Sequence, residues 1–293
     1  MAITNSCMLV NLRIGTWAGR KLDRSISDEV TEQKGARDDA LRVNKHLVPK
    51  ETLAAVVTAS NALRGHFYEK TLPWADQGAR VITRVGYRPF LEQHEKLMRA
   101  FNDAATHLVE IDYPAARAQA EFRMGDAFNP EDYPAAHELL DKFYVKLDID
   151  PIPEGKDFRV DISKEDGAAI KQQIEDRLKG RVAAAAKDVW DRLRLVIEHY
   201  AKTMGNPDIR FKEATVRNLH DLVEAMPALN ILEDPALEAF AKDVRQSLDW
   251  TAKDIRDNPE TRKAAAAEAE AVLDRMGSFM NAFSGMSQLK EAA

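Results

Sequence analysis

Histidines and carboxylates at helical spacing are the first place to look for chemistry in this sequence. His94-Glu95-Lys96-Leu97-Met98 and His137-Glu138-Leu139-Leu140-Asp141 each imitate half of a zinc-protease helix. In such a helix, ligands at i and i+4 flank a glutamate that acts as base. Met98 stands where the second ligand of the first segment belongs. Asp141 could serve a hard cation in the second, but no histidine-rich partner segment accompanies either. Both therefore read as helix-surface histidines. Asp103 and His107, also four apart, read as a surface pair. Asp148, Asp150, Asp157 and Asp161 form the one dense carboxylate group, and a hydrolase using a divalent cation could be built on it. Alternation along a strand instead places these carboxylates on its wet side, which is the reading taken here. Cys7 would need a thiolate-stabilising site and a nearby base to act as nucleophile, and it sits at the very start of the chain. Gly-x-x-x-x-Gly-Lys-Ser/Thr, Gly-x-Gly-x-x-Gly and Gly-x-Ser-x-Gly are all missing from the sequence. No catalytic residue, metal ligand or cofactor is assigned.

The best candidate for a binding surface is basic and aromatic. Lys70 and Trp74 lie just before Arg80, Arg84, Tyr87 and Arg88, with His66, Phe67, Tyr68 and Phe90 close by and Trp17, Arg20 and Lys21 as a further cluster. Single-stranded nucleic acid is held by cations along its backbone and by aromatic platforms under its bases. Core packing competes for the same aromatics. Trp17, Phe67 and Phe90 fall on faces expected to be buried, and Trp74 follows a proline in a turn where it can plug the core.

Charge is distributed unevenly. Residues 1–100 carry 16 Lys+Arg against 11 Asp+Glu, residues 101–150 carry 4 against 11, and the rest carries 22 against 26. A basic third followed by an acidic block fits an acidic partner or self-complementarity, and the excess is modest for a nucleic-acid-binding domain. One cysteine excludes an intrachain disulfide. The start lacks the pattern of a secretory signal, and no segment approaches about 18 consecutive apolar residues. The protein is therefore expected to be neither exported nor membrane-spanning.

The elements that would carry these residues are mostly helical. Residues 8–14 alternate as a short strand, and Thr16 is placed to cap a helix from about residue 17, with Leu22, Ile26 and Val30 on one face. A second helix follows Pro49, with Leu53, Val56, Ser60, Leu63 and Phe67 at heptad-like steps. Thr71-Leu72-Pro73-Trp74 breaks it, and a turn at Asp76-Gln77-Gly78 follows. A third helix is expected after Pro89, with Leu91, His94, Met98, Phe101, Ala105 and Leu108 inward, stopping at Asp112-Tyr113-Pro114. The words Asp112-Tyr113-Pro114-Ala115-Ala116 and Asp132-Tyr133-Pro134-Ala135-Ala136 read as two short helices that begin alike, each capped by its aspartate. Residues 143–149 and 158–162 alternate as the arms of a β-hairpin, with residues 8–14 available as a third strand. Ser163 then opens a helix to about residue 204, with a seam at Ile174, Leu178, Val182, Ala185, Val189, Leu193, Leu195 or Val196, and Tyr200. Its eleven-residue period keeps pace with a straight helix. Of the shorter helices that follow, one carries Val216, Leu219, Val223 and Met226 and ends at Pro227, and two start at Asp234 and Asn258, the last with Val272, Met276, Met280 and Phe283 as an apolar edge. The expected fold is mainly α: an elongated helical bundle with one long central helix and a small β-hairpin. Its regions are 1–141, 142–162 and 163–293, in one continuous unit.

The opening Leu9-Val10-Asn11-Leu12 with Trp17 and Lys21-Leu22-Asp23, the segment 68–74, and Asp157-Phe158-Arg159-Val160 together resemble a family of phage and prophage proteins of unknown function. Its members are often encoded near a MoxR-like AAA ATPase and a von Willebrand factor A-type protein. The resemblance implies a bacterial host cytoplasm and such a partner, and it brings no catalytic residues. With the long seam, the charge division and the missing catalytic constellation, it leads to an expectation of a non-enzymatic, self-associating scaffold or adaptor. The alternative is a single-stranded nucleic-acid-binding protein of phage replication, recombination or counter-defence. The carriers in that case are Lys70, Trp74, Arg80, Arg84, Tyr87 and Arg88.

Overall fold

The computed structural model describes residues 3–75, 78–160 and 163–291, with side chains through Gly277 in the last helix. In chain order the N-terminal elements are α1 (Ile3–Ser6), β1 (Cys7–Gly15), β2 (Arg20–Asp23), α2 (Arg24–Lys34), β3 (Val43–His46), α3 (Lys50–Lys70), β4 (Leu72–Pro73), β5 (Arg80–Thr83) and α4 (Arg84–His107). Then come α5 (Tyr113–Ala118), α6 (Ala120–Met124), α7 (Ala136–Leu140) and β6 (Tyr144–Asp150). The C-terminal half is α8 (Lys164–Gly205), α9 (Glu213–Leu229), α10 (Pro235–Ser247), α11 (Ala252–Asp257) and α12 (Pro259–Glu291). The chain is 69% helical, and no helix among the described residues is long and apolar enough to cross a membrane.

The β content differs from the expected hairpin. A four-stranded sheet has the order β4-β5-β1-β6. β1 pairs antiparallel with β5, Met8 opposite Ile82, and β4 pairs antiparallel with β5. β5 was not foreseen. Its four residues, Arg-Val-Ile-Thr, are too short to show a period. Residues 158–160 form no strand, and Asp161 and Ile162 lie outside the described residues. Pro151 and Pro153 remove two ladder donors after β6. A 3₁₀ turn at Gly155–Asp157 then docks on α8, where a Cβ on Gly155 would stand 3.0 Å from the Lys171 carbonyl.

Two compact units share the chain discontinuously, unlike the linear division 1–141, 142–162 and 163–293. One comprises Met1–Val10, Glu69–Arg88 and Ile149–Ala293, the other Asn11–Tyr68 and Pro89–Asp148. In the first, the core is the second half of α8 with α9, α10 and α12. Val189, Leu193, Ile197 and Tyr200 of α8 meet Leu219 and Val223 of α9, Phe240 and Val244 of α10, and Ala265, Ala269 and Val272 of α12. Ser163 caps α8 by accepting from the Asp166 N–H at 3.1 Å. At the other end, Arg262 donates to the carbonyls of Thr203, Asn206 and Ile209 at 2.6–2.9 Å, which satisfies groups that the helix end leaves open. α12 thus starts where α8 stops and runs back along it. Val272 and Met276 are buried as expected, while the side chains of Met280 and Phe283 lie outside the described residues.

In the second unit, α3 buries the heptad-like row Val56, Ser60, Leu63 and Phe67. Phe101, Ala105 and Leu108 of the α4 side pack with Val56 and Leu63 of that row. α4 starts five residues before Pro89, because Thr83 Oγ1 accepts from the Gly86 N–H at 3.0 Å and caps it. It does not stop at Asp112 either: a π-turn at Leu108–Asp112 carries it into α5, with Pro114 in the first turn where its missing N–H costs nothing. Thr16 caps nothing. Residues 20–23 are a strand, and α2 is capped by Asp23, whose side chain accepts from the Ile26 N–H at 3.0 Å. Its buried residues are Ser27 and Thr31, not the row Leu22, Ile26 and Val30.

Candidate functional site

The predicted basic-aromatic surface is only partly assembled. Trp74 is 4% exposed in the core of the first unit and presents no ring to a base. The Arg80 guanidinium is spent on Thr71, with Nε donating to Oγ1 at 2.6 Å and Nη2 to the carbonyl at 2.7 Å. Lys70 pairs with Glu69 at 2.5 Å. Arg84, Tyr87 and Arg88 lie at i, i+3 and i+4 on the first turns of α4, the two arginines exposed and the tyrosine half-buried.

The other candidates disperse. His94 is buried, not a surface histidine. His137 and Asp141 are exposed. His107 pairs with Asp112 at 3.6 Å instead of with Asp103. Asp148 is held by Arg13 at 2.6 Å, Asp157 accepts from the Glu154 N–H, and Asp161 lies outside the described residues. Among the described residues, no three His, Cys, Asp or Glu side chains are grouped to hold a metal ion. Cys7 is buried, and burial pushes its thiol above the usual range, away from the reactive thiolate.

A group that the sequence reading did not single out does converge. β2 and β3 form a separate antiparallel ribbon in the second unit, with Lys21 opposite Lys45 and Asp23 opposite Val43. Alternation puts Lys21, Asp23, Val43 and Lys45 on one face. That face meets the turn ending at Asp132. Lys45 Nζ lies 2.5 Å from Asp132 Oδ2 and 2.7 Å from Asp23 Oδ2, and it donates to the Ala127 carbonyl at 3.2 Å. Three oxygens thus lie within 3.2 Å of the ammonium. Lys21 Nζ reaches the other Asp132 oxygen at 2.7 Å. α2 is sewn to the same ribbon: Ser27 Oγ accepts from the Val43 N–H at 2.9 Å and donates to the Asp23 carbonyl. The repeated aspartates therefore do not cap helices. Asp132 is an ion-pair centre, and the Asp112 side chain makes no cap bond. The two repeats instead touch through Tyr113, whose hydroxyl donates to the Pro134 carbonyl at 2.7 Å.

These groups floor a cleft of about 720 Å³, walled by Arg24, Ser25, Asp126, Phe128 and Asn129. Its close pairing with the Asp132 and Asp23 carboxylates holds the Lys45 ammonium above the ordinary lysine range. Lys45 in turn draws Asp23 below the carboxylate range. Asp132 also ends below it, because Lys21 and Lys45 together outweigh the opposing effect of burial. A lysine held charged is a poor base or Schiff-base nucleophile, and carboxylates held ionised are poor acids. The cluster is electrically closed, with two cations against two anions, so its chemistry is structural. Its sequence signal was the alternation of Lys21 with Asp23 and of Val43 with Lys45, in runs of four residues.

Comparison with protein-family models, with curated proteins and with solved structures gives no match to this chain.

Proposed function

We propose that this chain is a non-enzymatic helical adaptor, of phage origin and acting in the bacterial cytoplasm, that associates with a second copy of itself through the first half of α8. One observation carries the reading. α8 is 42 residues long, or about 63 Å at 1.5 Å per residue. Its first buried residue is Ala185. Before that point the apolar row continues four apart at Ile170, Ile174, Leu178 and Val182; all four are half-exposed, Leu178 and Val182 with one side on the core of the first unit. The same stretch carries Lys164, Glu165, Asp166 and Lys171 before its midpoint and Glu175, Asp176, Arg177, Lys179 and Arg181 after it. An antiparallel copy about a two-fold axis near residue 173 sets Glu165 of each helix against Arg181 of the other, and Lys171 against Glu175. That is the self-complementarity an isologous interface requires. The bundle would be elongated and the contact a short coiled coil. A MoxR-like ATPase or a von Willebrand factor A-type protein is the further partner that the family resemblance suggests.

The basic-then-acidic division of the sequence lends no support. Arg13–Asp148, Lys21–Asp132 and Lys45–Asp132 satisfy it inside one unit. Light scattering on the eluting protein tests the proposal. The native chain is expected at twice its 32.9 kDa mass, and Ile170→Glu/Ile174→Glu at the single mass with an unchanged circular dichroism spectrum. A native protein that is monomeric at all micromolar concentrations defeats self-association.

A second reading, single-stranded nucleic-acid binding, retains the Arg84–Tyr87–Arg88 face alone. It predicts that a labelled oligonucleotide binds at low salt, weakens steeply as salt rises, and binds less well to Arg84→Glu. Binding unaffected by that change removes the face from consideration.

A further inference from the structure

His94 of α4 is 2% exposed, and neither ring nitrogen has a hydrogen-bond partner among the described residues. Buried polar groups are ordinarily satisfied, and each exception calls for an explanation. A leucine would fill the same place without stranding a donor and an acceptor. The surroundings are aromatic. His94 stacks on Phe90 with ring centroids 5.6 Å apart and planes 24° apart, and His66 of α3 stacks on the same ring at 5.0 Å and 5°. Phe67 tilts against Phe90 at 6.4 Å. His66 Nε2 lies 3.0 Å from the Phe90 carbonyl, which joins the α3 side chain to the α4 backbone. Phe90 itself is 1% exposed.

We propose that the His66–Phe90–His94 stack is an acid-sensitive latch, which holds α3 against α4 while His94 is neutral and lets them part when His94 takes up a proton. An imidazolium has two N–H donors and no acceptor, and nothing at this place receives them. The charged groups that act on it are His66 from α3 and Glu95 from its own helix. His66 opposes a second positive charge. Glu95 favours one, but its side chain is exposed and it does not bond the ring. Desolvation is the largest effect, and together with His66 it outweighs Glu95 and keeps His94 below the ordinary histidine range.

The sign follows from proton counting. In the closed form His94 binds no proton. In an opened form it titrates near the ordinary value of about 6.5. Below that pH the open form binds one more proton, so the opening constant rises by about tenfold per pH unit. Amide hydrogen exchange over residues 60–70 and 90–100 reads this, measured between pH 7.5 and 5.0 and corrected for intrinsic exchange. The native chain should open about fivefold more readily at pH 5.5 than at 6.5, and His94→Leu should stay level. A native chain with no rise, or the same rise in His94→Leu, overturns the proposal. Should His94→Leu not fold, an NMR titration of the native ring decides. A His94 signal that titrates at or above the ordinary value with the stack intact refutes the latch.

Discussion

Lys45→Met keeps the aliphatic stem of the lysine and deletes the ammonium that joins β3 to the Asp132 turn. Two effects set its cost. Lys45 and Asp132 have side chains only 8% and 4% exposed, so their pairing at 2.5 Å is shielded from bulk solvent. The cluster also floors an open cleft, and the charge left behind is not abandoned: Asp132 keeps Lys21, whose side chain is 52% exposed, and Asp23 keeps the Ile26 N–H. The cost therefore falls below the 3–5 kcal/mol of a fully stranded buried charge, and about 2 kcal/mol is expected, the middle of the range for hydrogen bonds to charged groups. Asp132→Leu leaves Lys45 with Asp23 and the Ala127 carbonyl and should cost about the same. The double variant should cost little more than either single one, a coupling of about 1.5–2 kcal/mol for residues in contact. Urea unfolding followed by circular dichroism measures all three. Costs that add to within about 0.5 kcal/mol, the behaviour of independent sites, would refute the claim that one ionic cluster holds the ribbon to the turn. The pH dependence has a fixed sign. Asp132 is held below its ordinary range, so its contribution is complete above its unfolded value of 3.8 and disappears as pH falls through the lower folded value. The Asp132→Leu variant should therefore lose less stability than the native chain on acidification across that window.

Three smaller perturbations probe other parts of the fold. Leu193→Ala, at a fully buried position of α8, should cost about 3 kcal/mol by urea unfolding, and a loss under about 1 kcal/mol would mean that α8 is not central to the first unit. Tyr200→Phe should leave stability unchanged or raise it by about 1 kcal/mol, because the buried hydroxyl has no partner among the described residues; a clear loss would reveal one. Gly19→Ala forces a left-handed backbone, φ +62°, on a residue whose Cβ would stand 2.8 Å from Leu53 Cδ1, and a drop of about 1–2 kcal/mol from the backbone alone is expected in thermal melts.

What the sequence disclosed depended on the length of each pattern. The α3 row, the second half of the α8 seam, and the apolar faces of α9 and α10 were readable because a helical period repeats over several turns there. The Asp234 and Asn258 starts were readable from a capping residue followed by proline. The ribbon of β2 and β3 was not, because four residues contain only two alternations and Lys21, Asp23 and Lys45 look solvated when read singly. Their convergence follows from Asp132, which is 111 residues away from Lys21. His94 was misplaced for a related reason: its spacing put it on the inward face with Phe101 and Leu108, while its polarity suggested the outside. The unforeseen passage from α4 to α5 has a local cause, since the π-turn absorbs the register change that the Asp-Tyr-Pro word seemed to forbid. Among the proposed nucleic-acid carriers, Trp74 was lost to the core and Arg80 to Thr71, and neither fate is written in residue type.

The chain crosses between its two units four times, at residues 10–11, 68–69, 88–89 and 148–149. This fixes an order of events on the ribosome. The unit holding the Lys45–Asp132 cluster is fully synthesised once Asp148 has emerged. The other has by then only α1, the start of β1, β4, β5 and the first turn of α4, and Leu72, Trp74 and Val81 still lack α8 and α9 to cover them. At about 5–20 residues per second, the remaining 145 residues take about 7–30 s to make. For that interval a half-built sheet with an apolar face waits in the nascent protein, and a cut or a pause after residue 148 would release it uncovered. Deletion from the C-terminus should therefore give insoluble protein and not a shorter functional one, since no single cut separates the two units.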